Sequence, residues 1–96
     1  MVQKMEKSVL IILALTKGGD MQLKSTSTDI QFETIYSKGP EEYDFDKLVE
    51  QLKRLKERLP WLETLVLQPE DEVKYDVIIK IMDQCRENGF PNISMA

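Results

Sequence analysis

A chain of 96 residues, 42% apolar and 31% charged, has the length of one domain and the balance of a folded globular protein, which excludes a disordered tail and a second core. Its net charge of −4 comes from acids scattered among lysines and arginines, so no long basic stripe is available to neutralise a phosphate backbone, and nucleic acid is excluded as a partner. With no histidine and a single cysteine, Cys85, the chain has no internal disulfide, lacks the usual ligands for zinc, and cannot assemble Ser/His or Cys/His nucleophile pairs. The expectation is a non-catalytic protein with no cofactor and no metal.

Ser8 to Thr16 is a continuous apolar run bounded by charge and by Gly18-Gly19, which predicts a central strand buried on both faces. Its apolar part, Val9 to Leu15, falls short of the roughly 20 residues that cross a bilayer as a helix. The mixture of Lys4, Glu6 and Lys7 ahead of it does not resemble a signal peptide. Gly18-Gly19-Asp20 supplies the positive-φ positions of a tight hairpin, and Met21 to Lys24 alternates as a second strand. After a polar loop, Ser25 to Asp29, the alternation of Ile30, Phe32, Thr34 and Tyr36 predicts a third strand at a sheet edge.

Lys38-Gly39-Pro40 breaks the chain, and Asp44 is placed to cap a helix, with Tyr43 positioned to staple onto Leu48. Phe45, Leu48, Leu52, Leu55 and Leu59 repeat every three or four residues on one face; Glu50 and Arg54 pair on the other, and Pro60 stops the helix. The cluster Lys53, Arg54, Lys56 and Arg58 is read as a solvated helix face. Glu63 to Gln68 is the next strand, closed by Pro69 and the acidic turn Glu70-Asp71-Glu72, where Asp71 is expected to cap the following helix rather than bind calcium.

That second helix is predicted from about Lys74 to Asn88, with Ile78, Ile81, Met82 and Cys85 inward and Ile79 off the stripe. Tyr75 at its start is expected to pack its ring and expose its hydroxyl, and Cys85 to be an inert small hydrophobe. Asn88 and Gly89 form its C-terminal cap, Phe90 folds back onto Cys85, Pro91 forbids continuation, and Asn92 to Ala96 is the last strand. Two amphipathic helices must cover the same side of the sheet. The fold class is therefore α+β: a two-layer sandwich with two helices on one face of a mixed sheet of four or five strands.

Leu65 to Ala96 resembles the C-terminal part of the periplasmic domain of the ExbD/TolR family. The marks are the buried strand, the turn with Asp71, Val73-Lys74-Tyr75, Val77-Ile78, Ile81-Met82-Asp83, and Gly89-Phe90 ahead of Ile93-Ser94. The resemblance implies that residues 1–96 are one periplasmic domain, excised from a single-pass inner-membrane protein whose transmembrane helix would lie upstream of Met1. Residues 25–42 would be an insertion unusual for the family. It also implies an accessory subunit of a proton-motive-force-driven envelope motor, of biopolymer-transport or Tol-Pal type. Such a subunit works as a homodimer beside an ExbB/TolQ-like proton channel and contacts a TonB/TolA-like transducer or peptidoglycan.

Asp71, Tyr75, Asp83, Gly89 and Phe90 are the residues matching the family motif. Ile79, Ile93 and Met95, an apolar flank beside an uncharged terminal strand, are the candidate dimer or partner interface. The competing reading from the residues is a free-standing α+β ligand-binding or regulatory module. A carboxylate enzyme built on Glu41, Glu42 or Asp71 is weaker, because no acids are fixed opposite one another.

Overall fold

The computed structural model describes residues 9–26 and 30–96; Lys4, Glu6, Lys7, Ser8 and the Ser27 to Asp29 part of the polar loop lie outside the described residues. The elements run β1 (Ile11–Leu15), β2 (Met21–Ser25), α1 (Phe45–Arg58), β3 (Thr64–Pro69), α2 (Tyr75–Glu87) and β4 (Asn92–Met95). The four strands form one mixed sheet in the order β2-β1-β3-β4, with β1 and β2 antiparallel and the other pairs parallel. Each parallel pair is joined through a helix, the usual form of the crossover that parallel strands need. Both helices cover one face, giving a two-layer α+β sandwich.

The core explains the sandwich. Ile11, Leu13 and Leu15 of β1, Leu65 and Leu67 of β3, Leu48, Leu52 and Leu55 of α1, and Ile81 and Cys85 of α2 are all buried in one cluster. The expectation that β1 is buried on both faces is corrected here. Its burial alternates, with Ile12 and Ala14 only half buried on the other face, because no layer among the described residues covers that side.

The second correction concerns residues 30–36, which are not a strand. Met21 and Ile35 exchange both main-chain hydrogen bonds at 2.8 Å, and the pairing stops at that single bridge. Continuing the register would set Phe32 opposite Lys24, on the exposed face, since side chains alternate along a ladder. Phe32 instead packs against the core beside Leu55 of α1. Burying the ring outweighs extending the ladder.

The ends of the elements follow their capping residues. Gly19 turns the hairpin with φ +109°, and Thr16 N donates to Asp20 O across its base at 2.9 Å. Asp44 Oδ1 accepts from Lys47 N at 3.1 Å, as an N-cap does, and α1 ends before Pro60. Tyr43 and Leu48 both enter the core, while the Tyr43 hydroxyl donates to Thr16 O and fastens the loop before α1 to the hairpin.

Asp71 does not cap α2, which corrects the sequence expectation. The N-cap is Lys74, with no side-chain bond, and the acidic turn is drawn to the hairpin: Lys17 N donates to Glu70 Oε1 at 2.9 Å and Lys17 Nζ meets Glu72 at 3.0 Å.

Candidate functional site

Among the described residues, β4 is the last strand of the sheet and is paired on one side alone. Asn92 N donates to Glu63 O at 3.1 Å and Ala96 N to Leu67 O at 2.8 Å, so the even-numbered residues of β4 direct their main-chain groups at β3. Because successive peptide groups alternate in direction, Ile93 and Met95 turn theirs to the open edge. Their side chains lie on the helix-covered face, since their register partners are the buried Leu65 and Leu67. Met95 is 51% exposed and Ile93 half buried. On α2, Ile79 is 37% exposed, off the stripe that buries Ile81 and Cys85. The edge thus offers two unpaired peptide units and apolar side chains with no charge inside the strand.

The five motif residues do not gather into one site. Asp71 is exposed in the β3–α2 turn, and Tyr75 begins α2 with 76% exposure, so its ring is not packed as expected. Asp83 meets Arg86 at 3.6 Å on the helix surface. Gly89 and Phe90 lie at the far end of α2 and serve the fold. Gly89 has φ +97°, and Phe90 is fully buried, with its N–H donating to Cys85 O at 3.0 Å. Of the carboxylates in the enzyme reading, Glu41 lies 3.4 Å from Lys74 on the surface, and Glu42 and Asp71 are exposed.

Lys56 departs from the solvated face predicted for it. Its ammonium donates to Leu62 O and, at 2.7 Å, to Gly89 O, and sits 4.8 Å from the centre of the Phe90 ring. One side chain thereby joins the end of α1, the turn before β3 and the turn before β4. A lysine on the flank of a leucine stripe carries no sequence mark of this role, since its acceptors are main-chain carbonyls.

Burial pushes the Cys85 thiol up from its ordinary 9.0 to about 12, with Arg86 opposing weakly. The unfolded chain loses this proton near pH 9 and the folded chain retains it, so stability falls with rising pH, by up to about 1.4 kcal/mol per unit above pH 9. Urea unfolding at pH 8, 9 and 10 is expected to show this decline, and Cys85→Ala to flatten it. An equal slope in both proteins would show that the thiol is not its source. Below pH 8 the same burial keeps Cys85 unreactive toward thiol reagents until the protein unfolds.

The model of the family described as biopolymer transport protein ExbD/TolR matches residues 2–96. The chain belongs to the ExbD/TolR family. A comparison with curated individual proteins finds no match. ExbD/TolR membership makes the chain part of an accessory subunit of a biopolymer-transport or Tol-type system, a class that is non-catalytic. The family pairs with ExbB/TolQ-like and TonB/TolA-like proteins and is anchored in the inner membrane with a periplasmic domain. Among the described residues, no ExbD/TolR helix of this chain is long and apolar enough to cross a membrane.

Proposed function

We propose that this chain is the periplasmic domain of a proton-motive-force-driven envelope motor subunit and acts as a two-fold dimer joined through β4. It stands beside an ExbB/TolQ-like proton channel and hands its motion to a TonB/TolA-like transducer, or to peptidoglycan as an anchor. Asp71 and Tyr75, exposed at the end of α2 remote from Gly89, are the motif residues available to such a partner. Residues 25–42, absent from the usual family pattern, adapt this member to its own partner.

The open edge of β4 carries this reading. An isologous antiparallel pairing uses both outward peptide units when Ile93 faces Met95 of the second copy, with the two-fold axis passing beside Ser94. A register shifted toward the start of the strand would bring in Pro91, which has no N–H to give. In the favoured register Ile93 and Met95 of both copies lie on the helix side, where Ile79 extends the apolar surface.

Sedimentation at high micromolar concentration is expected to show a dimer. Met95→Lys, which sets like charges across the axis, is expected to weaken it at least tenfold while leaving thermal unfolding of the monomer nearly unchanged. A dimer indifferent to that substitution, or a chain that stays monomeric, overturns the edge pairing.

A further inference from the structure

Among the described residues, β2 is the other outer strand of the sheet, and its free side carries only the bridge to Ile35. Thr26 N donates to Leu10 O at 3.1 Å, so the even-numbered residues of β2 turn their main-chain groups to β1 and the odd-numbered ones turn theirs outward. Met21 spends its outward groups on Ile35; Leu23, the next in line, faces outward where the bridge has stopped. The chain that could continue it has the composition to do so. Phe32 and Thr34 are strand-forming residues, and the register that joins Met21 to Ile35 brings Glu33 opposite Leu23 and Phe32 opposite Lys24.

What stops the ladder is a latch on α1. Phe32 is half buried against the core beside Leu55, and Gln51 Nε2 donates to Glu33 O at 3.1 Å. That carbonyl is the acceptor that Leu23 N–H would claim if the pairing went on, so two arrangements compete for one oxygen. The latch is imperfect. Gln51 Oε1 is buried with no hydrogen-bond partner, alone in this among the side chains of the described residues, and a buried amide oxygen without a donor weighs against the state that holds it. Pairing with Leu23 would release Gln51 and replace one hydrogen bond by two. Against this stand the burial of the Phe32 ring and the Glu33 side chain, which pairing would turn to the helix side beside the buried Leu23.

We infer that residues 32–34 form a two-state strap, latched on α1 in the structure and paired with β2 as an added edge strand in a minor state. In the paired state Leu23 and Glu33 exchange both main-chain hydrogen bonds, as Met21 and Ile35 already do, and Phe32 crosses to the sheet face opposite the helices. The registers place it there at the end of the row Lys24, Ile12 and Val66, of which Ile12 and Val66 are half buried. Gln51 and Leu55 then lose their cover on α1, so the two sides of the domain trade apolar surface. Because the opposing contributions are few and of similar size, the paired state is expected at a population of about 0.1–10%, and binding on either side shifts the balance by its preference for one state. The strap is separate from the β4 edge and does not depend on it.

NMR relaxation dispersion of the unmodified chain is expected to show the amides of Leu23 and Glu33 in one shared exchange process. Phe32→Thr, which removes the ring and keeps a strand-forming residue, is expected to raise the equilibrium constant for pairing at least tenfold and to bring the α-protons of positions 24 and 32 into nuclear Overhauser contact. Gln51→Ala, which cuts the latch and leaves Phe32, is expected to raise it at least threefold. Glu33→Pro keeps the carbonyl that Gln51 binds and removes the N–H that Leu23 O needs, so it is expected to abolish the exchange at Leu23. Exchange at Leu23 that persists in Glu33→Pro would be ordinary loop motion and overturns the inference. So does a flat dispersion profile at Leu23 and Glu33 in the unmodified chain, or a Phe32→Thr chain without the α-proton contact. Should Phe32→Thr fold poorly, the unmodified chain, Gln51→Ala and Glu33→Pro decide between strap and loop. None of these outcomes bears on dimerisation, which sedimentation reads separately.

Discussion

Leu52→Ala is expected to lower stability by about 2–5 kcal/mol, and Leu55→Ala by a similar amount, as read from urea unfolding. Both leucines are fully buried on the inner face of α1, in one cluster with residues of β1 and β3, and each would leave a void within that core. The sheet side is held by ladder hydrogen bonds and cannot collapse into the space, so the cost belongs in the upper part of the range for Leu52, midway along the helix. Losses below half a kcal/mol for both would mean that α1 does not face the core, and the two-layer arrangement would fall with it. In a domain whose whole stability is on the order of 5–15 kcal/mol, either change also bears on yield in the cell.

Gly89→Ala is expected to cost about 2–4 kcal/mol, by two routes that act together. At φ +97° a side chain is strained by about 1–2 kcal/mol whatever the space around it. The space is also taken. A Cβ there would stand 2.8 Å from Lys56 Cε, so the lysine stem has to move, and with it the ammonium that bonds Gly89 O and Leu62 O. Asn88→Ala removes a side-chain bond to Gln84 O at 2.7 Å and is expected to cost only about 1 kcal/mol. Lys56→Met separates the two routes: in that background Gly89→Ala should retain its backbone strain and lose the part due to displaced hydrogen bonds. If Gly89→Ala proves as mild as Asn88→Ala, the positive-φ cap is wrong.

The parts of this fold legible in the sequence are those fixed by neighbours in the chain. Asp44 and Pro60 bracket α1, Gly89 and Pro91 close α2, and Gly19 turns the hairpin, each because a local backbone state admits few residue types. The misread parts depend on residues distant in the chain. Whether Ile12 is covered depends on how many layers the domain has, which a short apolar run cannot express. Phe32 alternates as a strand residue should, yet a register set by Met21 and Ile35 and a pocket beside Leu55 outweigh that pattern.

The same holds for the candidate sites. The edge at Ile93 and Met95 was open to inspection because it ends the sheet and carries no charge. Lys56 was not, because it finds its acceptors at Leu62 and Gly89, through main-chain oxygens that no side-chain pattern marks.

The parallel pairing of β4 with β3 also has a mechanical side. A pull on Ala96 directed along the strand loads the hydrogen bonds from Asn92 to Glu63 and from Ala96 to Leu67 at the same time, in shear, whereas a pull across the sheet would peel them one after another. Shear loading resists far more force for the same bonds. The tension that passes β4 next reaches Gly89, whose carbonyl is gripped by Lys56, and from there it enters α1 and the centre of the domain. A force-bearing coupling made at this end would thus be strong lengthwise and weak sideways, and single-molecule pulling in the two directions should show a marked difference in rupture force.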